Sequence, residues 1–160
     1  MRRIDLAILA AVAAFVTIGC QDRNAYSQVD ADDSAMNAAI AEARSRTADF
    51  VEALRQPKPT HQAFGVKNPY PTPTGGPEHR WIAEVSEKDG VFSGVIANDA
   101  FETREVALGQ KVEFKLSEIS DWKFQDGAKL VGGFTIRYFY DQMNPAEKEA
   151  FRKDSGLIIE

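Results

Sequence analysis

The chain has 160 residues, with 19 Lys or Arg against 24 Asp or Glu, and a net charge of −5 at neutral pH. That balance opposes nucleic acid as a partner, because like charges would be brought together. One cysteine and two histidines exclude an internal disulfide and leave too few soft ligands for a thiolate or histidine-rich metal site. No cofactor is therefore expected.

The first segment reads as an export label. Met1-Arg2-Arg3 precedes an apolar run over residues 6–18, shorter than the roughly 20 residues that span a bilayer as a helix. A basic start, a short apolar middle and small residues at its end make a secretory signal. The segment closes on Thr17-Ile18-Gly19-Cys20, which resembles the lipobox of bacterial lipoproteins. The resemblance implies a signal peptide over 1–19 and a diacylglycerol on the Cys20 thiol, with 20–33 as lipidated cysteine and flexible tether. Gln21 in place of aspartate implies an outer-membrane anchor facing the periplasm. Losing Arg2, Arg3 and Asp5 with the leader makes the exported form one unit more acidic. A lone thiol has no disulfide partner, and acylation gives it a use.

A single globular domain is expected over 34–160. Asp30, Asp32, Asp33 and Ser34 form a helix start. Met36, Ile40, Ala43, Thr47, Phe50 and Leu54 then recur at spacings of three and four, which predicts one amphipathic helix over 34–55. Pro57 and Pro59 end it. Five of the seven prolines lie between Pro57 and Pro73, so 57–77 reads as a long ordered loop with one short strand at 63–67. Strands are predicted at 81–85 and 91–97 around an Asp89-Gly90 turn, and at 106–116. A second hairpin is expected around Asp126-Gly127, with strands at 122–124 and 129–131. Gly132-Gly133 marks a bend, and 134–140 continues as a strand or a short helix, the Ile136, Tyr138, Tyr140 alternation favouring the strand. Asn144-Pro145-Ala146-Glu147 is a helix start for 145–153, ended by Gly156. The fold class is α+β: a small curved or barrel-like antiparallel sheet of about five or six strands, an N-terminal amphipathic helix and a short C-terminal one.

No phosphate loop, nucleophile elbow or metal-binding spacing is present. Glu78-His79-Arg80-Trp81 is the most suggestive stretch, because a carboxylate beside a histidine can hold its proton and make it a general base. The competing reading is a histidine bonded to loop backbone. Asp121, before Trp122, is a candidate acid whose structural alternatives are accepting the indole N–H or capping a turn. Asn98-Asp99 reads as a turn. Arg137, in an apolar segment, needs an acid or an aromatic face, with Asp121 or Glu78 as expected partner.

Six segments in order resemble the YegJ-like family of uncharacterised bacterial proteins, a domain of unknown function. They are Phe64-Gly65-Val66-Lys67, Glu78-His79-Arg80-Trp81, Gly94-Val95-Ile96-Ala97-Asn98, Leu108-Gly109-Gln110, Ile119-Ser120-Asp121-Trp122 and Gly132-Gly133-Phe134-Thr135-Ile136-Arg137. Arg80 and Lys123 depart from the pattern, standing where a small or apolar residue and a methionine are expected. The resemblance implies no activity, substrate or cofactor. It points to Glu78, His79 and Asp121 as candidate catalytic residues and to Trp81, Asn98, Trp122 and Arg137 as binding residues. The leading expectation is a non-catalytic binding module at the envelope, contacting a protein or cell-wall ligand. The alternatives are a small hydrolase built on His79 with Glu78 or Asp121, and an inhibitor or immunity-type protein.

Overall fold

The computed structural model describes residues 33–160. The expected leader, the Cys20 anchor and nearly all of the tether lie outside the described residues.

The amphipathic stretch is two helices rather than one, α1 (Ser34–Ser45) and α2 (Thr47–Arg55). Asp33 caps the first, accepting from the amides of Ala35 and Met36 at 2.9 and 2.8 Å. The break falls at Arg46, whose amide is shared between the Glu42 and Ala43 carbonyls. Two hydroxyls help to cause it: Ser45 and Thr47 donate to the Glu42 and Arg44 carbonyls, competing with the helix ladder. The apolar stripe survives the break, burying Ala43, Phe50 and Ala53.

The predicted loop over 57–77 carries a long strand, β1 (His61–Pro71). It pairs with β2 (Pro77–Lys88), which pairs with β3 (Val91–Ile96); β4 (Lys111–Phe114), β5 (Asp121–Asp126) and β6 (Lys129–Gly132) complete the sheet. All named pairings are antiparallel, in the order β4-β3-β2-β1-β5-β6, and the sheet is open. Prolines are tolerated in β1 for a geometric reason. Its pairing with β5 ends at Lys67↔Asp121, so Pro69 and Pro71 sit where the strand has only one neighbour and no amide is required on the free side. Register shifts near Ala63 and Glu84, both with positive φ, are bulges that curve the sheet. The strand expected over 106–116 is trimmed to the four residues of β4.

Residues 134–140 are not a strand but the start of helix α3 (Phe134–Gln142). Gly132 and Gly133 both lie in the left-handed region, φ +70° and +65°, and a Cβ on Gly132 would sit 2.4 Å from the Trp122 carbonyl oxygen. Only glycine makes this turn. The last helix, α4 (Pro145–Ser155), has the full Asn144–Glu147 capping box and Gly156 as its C-cap, as its sequence predicts. Beyond it, Leu130 donates to the Ile158 carbonyl and Ile158 to that of Ala128, so the last residues lie along β6.

The core lies between the helices and one sheet face. Trp122 is its centre, fully buried among Phe50, Phe124 and Phe134. Its indole N–H donates to the Ala43 carbonyl at 2.8 Å.

Candidate functional site

Strand alternation separates what the sequence places together. Along β2, Glu78, Arg80 and Ile82 are buried on the core face, whereas His79 and Trp81 point to the other. Glu78 therefore does not orient His79. Its carboxylate accepts three consecutive amides, Phe101, Glu102 and Thr103, each at 2.8 Å, and the Arg80 guanidinium at 3.0 Å. Burial works to raise its pKa, but the amides and Arg80 outweigh it and hold the group below the ordinary carboxylate range. Glu78 is the anchor of the loop after β3.

Asp121 is also spent structurally. It accepts from the amides of Trp122 (2.8 Å), Phe134 (3.1 Å) and Thr135 (2.8 Å) and from the Thr135 hydroxyl (2.7 Å). Gly133, at the N-cap of α3, has no side chain to do this, so the cap comes from a distant strand. Burial pushes the Asp121 carboxyl up, and its four donors act against that shift. The expected ion pair with Arg137 does not form. Arg137 donates instead to the carbonyls of Gly132, Leu130 and Glu160 at 2.9, 2.7 and 2.6 Å, pinning the last residues to β6. Asn98 accepts from the Trp81 amide at 2.9 Å and extends the β2–β3 pairing. Trp122, buried in the core, offers no binding surface.

The other sheet face gathers His79, Trp81 and Asp121 around a residue that sequence reasoning did not single out. Lys67 pairs across the strands with both Trp81 and Asp121. Its ammonium sits 5.6 Å from the Trp81 ring centroid, and that of Lys123 sits 5.5 Å from the same ring, inside cation–π range. Gly65 makes the floor: a Cβ there would lie 3.8 Å from both the indole and the Lys123 side chain. Lys67 donates to the Thr135 hydroxyl at 3.3 Å. Burial lowers the pKa of both lysines, and the Asp121 charge partly restores them.

His79 Nδ1 lies 2.7 Å from Ser120 Oγ, which also donates to the Lys67 carbonyl. Burial first, then the charges of Lys67 and Arg44, lower its pKa to about 4. The imidazole is neutral at physiological pH. Arg44 itself is tied to the Ile119 carbonyl at 2.9 Å. Lys123 was legible as a residue alternating with Trp122 and Phe124. Lys67 falls at the end of the short strand expected over 63–67, and the cross-strand pairing that brings it to Trp81 and Asp121 is what the sequence does not show.

Among the described residues no group of three or more His, Asp or Glu side chains is placed to hold a metal ion. None of their helices is long and apolar enough to cross a membrane.

These features define an α+β domain with a curved open sheet, a helix-covered core face and a cationic–aromatic cluster on the reverse. The chain belongs to the family described as "Uncharacterized protein conserved in bacteria (DUF2314)", whose model matches residues 33–158. It is 40% identical over 105 residues to the uncharacterized protein YegJ of Escherichia coli K12, covering 66% of this chain and 67% of that protein. A putative ankyrin repeat protein, NMB1133/NMB1171 of Neisseria meningitidis serogroup B, is 34% identical over 71 residues. There the match spans 44% of this chain and only 28% of the relative. No solved structure matches the chain.

Proposed function

We propose that this chain is a non-catalytic binding module of the bacterial envelope, and that the face around Trp81 takes an anionic cell-wall saccharide. One observation carries the reading: two ammonium groups flank a half-buried indole, and the carboxylate beside them, Asp121, is already saturated by four donors. An aromatic face suits the apolar face of a sugar ring, and the lysines supply charge for its carboxylate. The overall acidity of the chain makes this concentration of positive charge stand out. The export signature at 1–20 motivates the location.

A hydrolase reading has one observation behind it, the 2.7 Å contact of His79 with Ser120. Ser120 is fully buried, so a substrate carbonyl has no path to its hydroxyl. Glu78 faces the wrong way, and Asp121 has no acceptor capacity to spare for His79. Binding fits the geometry better.

The test is titration of the protein with soluble peptidoglycan fragments while tryptophan fluorescence is followed. The signal belongs to Trp81, since Trp122 is sealed in the core, and Trp81→Phe should abolish the change. The Lys67→Ala, Lys123→Ala double variant should bind about tenfold or more weakly, with acidic fragments preferred over neutral chito-oligosaccharides. A flat titration, or a double variant that binds like the wild type, sinks the reading.

A further inference from the structure

The core face carries a second polar cluster that the Trp81 site does not use. Arg80 is 1% exposed, and only its Nη1 has a partner, Glu78. Nε and Nη2, the other edge of the guanidinium, have no hydrogen-bond partner among the described residues. Directly across the β1–β2 pairing stands Asn68, 8% exposed. Its Oδ1 is equally without a partner among the described residues. A buried polar group left unpaired has lost its hydration with nothing in return, so three on facing residues mark a position built for an occupant. The loop over it is held shut by Glu78 through its three amides and by the Thr103 hydroxyl, which donates to the Pro71 carbonyl at 2.8 Å.

We infer that the unpaired edge of Arg80 and the facing Asn68 Oδ1 bind a small planar oxyanion that carries one hydrogen-bond donor, with hydrogen carbonate the simplest member of the class. Nε–H and Nη2–H point in parallel, and their spacing matches two oxygens of one carboxylate-like group rather than a single oxygen atom. Asn68 Oδ1 asks for a donor, which the O–H of hydrogen carbonate supplies. Glu78 engages only Nη1 of the guanidinium, which leaves the Nε–Nη2 edge for the anion. The site lies on the opposite sheet face from Trp81 and stands or falls independently of the saccharide reading.

The test follows the arginine Nε–H signals of the full chain by NMR in ¹⁵N-labelled protein, with the Arg80 resonance assigned through bonds so that no variant is needed. Sodium hydrogen carbonate should move that resonance saturably, and sodium chloride at equal ionic strength should not. Formate has the two acceptor oxygens but no donor, so it should bind more weakly than hydrogen carbonate. Asn68→Ala should close that gap, weakening hydrogen carbonate by about tenfold while leaving formate unchanged. An Arg80 signal indifferent to both anions overturns the site. So does a crystal structure grown in hydrogen carbonate with only water against Nε and Nη2.

Discussion

At the scale of single residues, the titration of His79 is the sharpest consequence of the Trp81 face. Its pKa falls from an ordinary 6.5 to about 4 in the folded protein, driven by burial and then by Lys67 and Arg44. The folded state therefore binds this proton less readily than the unfolded chain. The contribution to stability is complete above pH 6.5 and is lost as pH falls from there towards about 4. Each unit is about 1.4 kcal/mol at full burial; partial exposure reduces the total to about 1–3 kcal/mol. Urea unfolding at pH 7 and pH 4.5 should show this loss on top of that from the carboxylates. His79→Gln cannot take up the proton, and its loss between the two pH values should be smaller by that amount. Equal losses in both proteins would mean that His79 titrates normally. The same residue shows why the sequence is a poor guide to pairing here. Glu78 and His79 are neighbours in the chain, yet the pleat turns them to opposite faces of the sheet, and the buried acid serves a loop 23 residues away.

At the scale of elements, what is written locally is legible and what is supplied from a distance is not. The Asp89-Gly90 and Asp126-Gly127 hairpins and the Asn144 capping box are each contained within a few residues, and each forms where expected. Helix α3 is different. Its start has glycines instead of a cap, and its own alternation suggests a strand, because the capping carboxylate comes from Asp121, on a strand 13 and 14 residues earlier. Strand β1 hides behind its prolines, which are harmless only because β5 stops short of them. The short strand expected over 63–67 ends on Lys67 but does not show which strands flank it, so half of the candidate site is visible in the sequence as His79, Trp81 and Asp121 and its cationic half is not. The α3 account has a direct test. Asp121→Ala leaves the Phe134 and Thr135 amides buried without an acceptor and should destabilise the fold by about 2–4 kcal/mol in chemical denaturation. Asp121→Asn, which keeps one acceptor oxygen, should lose less. Hydrogen exchange should quicken first at Thr135 and Ile136. An Asp121→Ala protein as stable as the wild type would show that α3 needs no borrowed cap.

At the scale of the whole molecule, the family match begins where the described residues begin, at residue 33, with the cysteine at position 20 thirteen residues before it. We propose that acylation of that cysteine holds the domain at the membrane, where one acyl chain alone binds only marginally and several bind firmly. Cells fed a labelled fatty acid should mark the wild type and not Cys20→Ser; a wild type that stays unlabelled removes the lipid from this account. The shape of the sheet has a consequence for how two copies of this domain meet each other. Among the described residues the β6 rim is stoppered by the stretch around Ile158, whereas the β4 rim, with Lys111 and Glu113 exposed along it, pairs with β3 alone. Strand-to-strand contact through that rim covers the β4 edge of both partners. Encounter through β4 on both sides stops at two molecules, so this edge favours pairing over a growing fibre.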